Sequence, residues 1–92
     1  MIGRLVNFEG TPTALSELER VLVGECADAL RALPGLHALH MMVDREAGRA
    51  IVLAIWKDAG CADRAMDAMV PIRRTIIEGG LRQSMSDYEV VV

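Results

Sequence analysis

Two stretches near the middle of the chain, Leu36 to Asp44 and Arg49 to Lys57, narrow the possible folds most. Both are so rich in aliphatic residues that a strand built from either is apolar on both sides. Between them lies Arg45-Glu46-Ala47-Gly48. A type I turn ending on Gly48 in the left-handed region joins the two as an antiparallel hairpin. With Glu46-Ala47-Gly48 as the loop, Ala38 faces Trp56, His40 faces Ala54 and Met42 faces Val52. One face then carries Ala38, His40, Met42, Val52, Ala54 and Trp56, and the other Leu39, Met41, Val43, Ile51, Leu53 and Ile55. A slip of one residue re-pairs these side chains but leaves both faces apolar. Such a hairpin needs cover on each side.

The rest of the sequence supplies one covering layer. Met1 to Glu9 predicts a first strand, closed by Gly10. Thr11-Pro12 marks a helix start, with Thr11 as N-cap and Pro12 at the first helical position. Leu15, Leu18, Leu22, Cys26, Ala29, Leu30 and Leu33 then recur at helical spacing until Pro34-Gly35. Asp58 caps a second helix with an inner stripe of Ala62, Ala65, Met66, Met69, Ile72, Arg73 and Ile76. Pro71 divides or kinks it and Gly79-Gly80 stops it. A last strand is expected over Tyr88 to Val92. The order β-α-β-β-α-β with right-handed crossovers is an α+β, ferredoxin-like arrangement. It has a four-stranded antiparallel sheet with two helices on one face, in a single domain over residues 1–92. No chain remains to cover the second sheet face. A second copy packed through that face, giving a homodimer, is the expected solution.

Composition narrows the partners. Net charge is −3 and Lys57 is the only lysine, so no concentrated basic surface exists for nucleic acid or an anionic membrane. The apolar stretches are short for a membrane span, and no leader segment is recognisable at the start. Two cysteines are too few for a disulfide scaffold, so a reduced, cytoplasmic protein is expected. There is one Trp, one Tyr and one Phe, and six Met, so the core must be aliphatic with Met as adaptable filler. An RNA-recognition sheet would display aromatics, and a metal chaperone would carry Cys-x-x-Cys after the first strand; this chain has neither. No phosphate loop, metal set or cofactor motif is present.

Order and spacing together resemble the dimeric α/β barrel superfamily, and within it the antibiotic-biosynthesis-monooxygenase-like domains. The resemblance runs over nearly the whole chain. It rests on Leu33-Pro34-Gly35-Leu36, Asp44-Arg45-Glu46-Ala47-Gly48-Arg49, Ile55-Trp56-Lys57-Asp58 and Tyr88-Glu89-Val90-Val91. It implies a pocket between sheet and helices with Trp56 on its wall. It further implies a small aromatic or polyketide-like ligand and cofactor-independent oxygenation. Haem-degrading members use a His on the second helix; here His37 and His40 both precede it, so that branch is not expected. Those members also use an Asn on the first strand, and Asn7 lies about one residue out of register with it.

The candidate site residues each have a second explanation. Trp56 is a pocket wall or a core anchor. His40 is a general base or donor, or a structural histidine. His37 and His40, three apart on a strand, point to opposite faces and do not chelate together. Ala38 and Ala54 leave room for a ligand, or for Met66 and Met69. Asn7 is the other polar contributor. Arg73 binds a carboxylate or snorkels. Cys61 sits in a first helical turn without a visible base, and Cys26 reads as a buried hydrophobe. Two functions compete: a ligand-binding homodimer with monooxygenase activity on an aromatic substrate, using His40 and Asn7, and a non-catalytic binding or regulatory dimer.

Overall fold

The structure is a computed structural model covering residues 1–92. Its strands are β1 (Ile2–Glu9), β2 (Leu36–Asp44), β3 (Arg49–Trp56) and β4 (Arg82–Glu89), in the antiparallel order β2-β3-β1-β4. The helices are α1 (Pro12–Val21), α2 (Ala27–Arg31), α3 (Ala59–Arg64) and α4 (Val70–Gly79). They pack on one face of the sheet around a core that includes Phe8, Leu15, Leu18, Cys26, Val52 and Trp56. This is the expected ferredoxin-like arrangement.

The helix boundaries follow local chemistry. The Thr11 hydroxyl accepts from the Ala14 N–H at 3.1 Å, and Pro12 occupies the first turn, where its missing N–H costs nothing. Between α1 and α2 the chain widens into a π turn over Leu22–Cys26. The added residue shifts the buried positions by one, from Leu22 to Cys26, Ala27 and Leu30, and leaves Ala29 exposed rather than on the inner stripe. Asp58 caps α3, its Oδ1 accepting from the Cys61 N–H at 2.8 Å. Pro71 sits in the first turn of α4, separated from α3 by a 3₁₀ turn over Asp67–Met69. Gly80, at φ 63°, ends α4 in the left-handed conformation.

Two expectations are corrected. The hairpin loop is the whole of Arg45 to Gly48, because Asp44 accepts from the Ala47 N–H at 3.0 Å and pairs across the ladder with Arg49. Leu39 therefore faces Ala54, His40 faces Leu53, Met41 faces Val52 and Met42 faces Ile51, one residue away from the expected register. A bulge between Leu36 and Ala38 shifts the pairing again, so that Leu36 and not Ala38 faces Trp56. The last strand spans Arg82–Glu89 rather than Tyr88 to Val92. It is an edge strand paired only with β1, and its mostly exposed residues need no apolar alternation.

Candidate functional site

The register decides which side chains share a surface. Ala50, Val52, Ala54 and Trp56 of β3 are buried beneath the helices, with Leu39, Met41 and Val43 of β2 packed against the same core. The neighbouring positions on β1 are Arg4, Val6 and Phe8. The opposite, open face carries Ala38, His40 and Met42, then Ile51, Leu53 and Ile55, then Gly3, Leu5 and Asn7. Thus Ala54 and Trp56 lie on one side of the sheet, and Ala38, His40 and Asn7 on the other. The expected single wall of Ala38, His40, Ala54 and Trp56 does not form, because a shift of one residue in a strand turns every side chain over. Arg73 is exposed on α4, whose inward positions are Ile72, Thr75 and Ile76.

A cavity of about 60 Å³ lies between the sheet and the helices. Its floor is Val6, Leu39, Val52, Ala54 and Trp56, and its roof comes from Leu30, Ala62, Ala65, Met66, Met69 and Ile72. Gln83 and Met85 of β4 close the side, and Arg4 is its only charged wall residue. Trp56 is only 1% exposed. Small residues, Ala54, Ala62 and Ala65, leave the space, and the Met side chains narrow it. Ligand pockets run to roughly 300–1,000 Å³, so a bound molecule requires the flexible Met66, Met69 and Met85 to move aside.

Arg4 was not among the sequence candidates. It is 9% exposed and joins three elements. Its Nε and Nη2 donate to both carboxylate oxygens of Asp87 at 2.8 Å. Its Nη1 donates to the Ala62 carbonyl at 3.1 Å, and Nη2 also to Asp63 at 3.0 Å. The hydrogen bond to Asp87 raises the Arg4 pKa, burial opposes it, and the bond to Asp63 adds to the rise. Asp87 is correspondingly held below the usual carboxylate range. The alternation that turns Val6 and Phe8 inward also turns Arg4 inward, and that is readable in the sequence. Its partner on β4 is not, because that mostly exposed strand carries no apolar alternation to mark it.

No histidine lines the cavity. Cys61 and Cys26 are both buried free thiols, and burial pushes the Cys26 thiol up, away from a reactive thiolate. No group of three or more His, Cys, Asp or Glu side chains is arranged to hold a metal. No helix is long and apolar enough to cross a membrane.

The open face has a pattern of its own. Its apolar rows end at one edge in an alternating charged row, Asp44, Arg49, Glu9 and Arg82. Arg49 pairs with Asp44 at 3.4 Å and Arg82 with Glu9 at 2.8 Å. Met42 is 53% exposed on this face and Tyr88 58%.

No family model and no curated protein matches the sequence. Solved structures do share the fold. A candidate antibiotic biosynthesis monooxygenase from Nitrosomonas europaea superposes with a TM-score of 0.84 at 11% identity, over 100% of both chains. SnoaB, a cofactor-independent oxygenase from Streptomyces nogalater, gives 0.74 at 14% identity, over 99% of this chain and 93% of that one. A monooxygenase from the gene ActVA-Orf6 of Streptomyces coelicolor, in complex with nanaomycin D, gives 0.72 at 12% identity, over 99% and 89%. The chain thus has the fold of the antibiotic biosynthesis monooxygenases, as the resemblance in its sequence implied. Identities this low carry the fold and leave the activity open.

Proposed function

We propose that this protein is a homodimer that binds a small, flat, apolar molecule between its sheet and helices, and that it oxygenates an aromatic or polyketide-like substrate without a cofactor. The observation that carries the reading is the apolar cavity walled by Trp56 and Arg4 in a fold shared with SnoaB, a cofactor-independent oxygenase. In such chemistry an activated aryl CH₂ loses a proton, and the carbanion reacts with O₂. One new C=O forms, the O–O bond breaks, and the second oxygen leaves with two hydrogens as water. What a protein contributes is a dry pocket, a base to take that proton and hydrogen bonds to the developing oxyanion. Here Arg4 is the donor on the cavity wall, while His40 and Asn7 lie on the other sheet face.

A second reading, a binding or regulatory dimer without turnover, is favoured by one observation. Met66, Met69 and Met85 narrow the cavity, and no free base lines it. Asp87 is engaged by the cavity's Arg4, which lowers its pKa and makes it a poor proton acceptor. Oxygen uptake with anthrone as substrate, run beside calorimetric titration with the same compound, separates the two. Uptake well above autoxidation supports the oxygenase. Saturable binding without uptake supports the binding module. Absence of both defeats a ligand role for the cavity.

The dimer has support in the open apolar face and its charged edge. An apolar centre bounded by polar residues is the usual build of an interface. A row alternating in sign can meet a rotated copy of itself without like charges opposed.

A further inference from the structure

We propose that Arg4, held between Asp87 and Asp63, sets the specificity of the cavity: it takes an uncharged oxygen acceptor on a flat apolar ligand and rejects a carboxylate. The inference rests on the cavity being a ligand site.

A guanidinium offers five N–H donors. Four are engaged: Nε and one on Nη2 with Asp87, the other on Nη2 with Asp63, and one on Nη1 with the Ala62 carbonyl. The fifth, on Nη1, has no partner in the chain. Arg4 is also the only charged residue on an otherwise almost wholly apolar wall. An oxygen acceptor on a ligand completes its hydrogen bonding.

Charge decides which acceptor. One guanidinium and two carboxylates leave the cluster with a net negative charge. An Arg that recognises a carboxylate ordinarily does so with two parallel N–H donors. The paired donors of Arg4, Nε and Nη2, already hold Asp87 in that way. A ligand carboxylate would find one N–H, two nearby anions and an apolar wall that cannot solvate it. A ketone or phenol oxygen needs only the single donor. The neighbouring groups agree: Gln83 is the one other polar wall residue and is uncharged.

Three probes of similar shape test this by calorimetry at neutral pH: 1-acetonaphthone, 1-naphthoate and 1-ethylnaphthalene. The ketone should bind at least tenfold more tightly than the carboxylate and several-fold more tightly than the hydrocarbon. Arg4→Lys should remove the ketone's advantage over the hydrocarbon, a loss of selectivity that a purely structural role would not produce. Asp63 is a 70% exposed carboxylate, so Asp63→Asn should keep the fold even where Arg4→Lys does not. It should improve naphthoate binding several-fold and narrow the gap to the ketone. Equal or tighter binding of naphthoate to the unaltered protein overturns the proposal, as does an Asp63→Asn variant with the gap unchanged. Hydrocarbon binding without preference for the ketone overturns the role of Arg4 and leaves the cavity as a site. Failure of all three probes to bind overturns both.

Discussion

Arg4 and Trp56 show how much depends on single side chains in a chain with so few aromatics. Trp56 is almost completely enclosed, so Trp56→Ala should lower stability by ~3–5 kcal/mol in urea unfolding whatever the protein binds. Ala54→Leu is more selective. It should fill the cavity and abolish ligand binding while costing ~1–3 kcal/mol from overpacking. His40→Ala, on the far face of the sheet, should leave binding of the same ligand unchanged; a loss would mean that the two faces communicate. The Arg4–Asp87 pair adds a pH dependence with a definite sign. Asp87 has a depressed folded-state pKa, so its contribution is present above the unfolded value of about 3.9 and disappears as pH falls through the folded value. Asp87 is 41% exposed, so solvent screens much of that contribution. Urea midpoints followed below about pH 4 should fall less steeply in Asp87→Asn than in the unaltered protein, with the variant already less stable at neutral pH.

The hairpin and the helices around it depend on a few backbone positions. Gly48 closes the β2–β3 turn at φ 71°, and a Cβ there would approach the Gly10 carbonyl oxygen to 2.6 Å. That carbonyl belongs to the β1–α1 junction, whose Gly10 N–H donates back to the Gly48 carbonyl at 3.0 Å. Gly48→Ala should therefore combine a strained conformation with a clash, costing about 1–3 kcal/mol in thermal or urea unfolding. Full stability in that variant would mean the turn relaxes into another form. The hairpin tip is also tied to α1 at the surface, since Arg45 pairs with Glu19 at 2.9 Å. Within the first helical run, the π turn at Leu22–Cys26 keeps Cys26 and Leu30 inward but buries Ala27 and turns Ala29 out, where regular spacing places Ala29 on the inner stripe. The apolar spacing signalled a helix correctly here, but one added residue in the hydrogen-bonding ring left no mark on the pattern.

The sheet as a unit has one covered face and one open face, and that asymmetry underlies the expected assembly. Ile51, Leu53 and Ile55 sit at the centre of the open face, flanked by Leu5 on β1 and Met42 on β2. Equilibrium sedimentation at micromolar concentration should give twice the chain mass. Leu53→Asp should shift the protein to monomer by burying an unpaired charge at the contact. A monomeric unaltered protein would remove the dimer from the proposed function and leave the open face without an explanation.

The amino-acid order alone carried the element sequence, the helix caps, the left-handed turn glycine and the apolar character of both sheet faces. Each of these follows from local rules: hydrogen-bonding capacity at Thr11 and Asp58, the missing N–H of Pro12 and Pro71, and alternation along β2 and β3. Folding in three dimensions settled what local rules leave degenerate. With both faces of β2 and β3 apolar, no pattern penalised a one-residue slip, so the turn at Asp44 and Ala47 chose the register. That choice separated Trp56 from His40. β4 leaves little trace in the sequence because an edge strand with polar side chains lacks the alternation that burial imposes. Without it, nothing in the sequence could pair Asp87 with Arg4, 83 residues apart, or bring Asp63 of α3 to the same guanidinium.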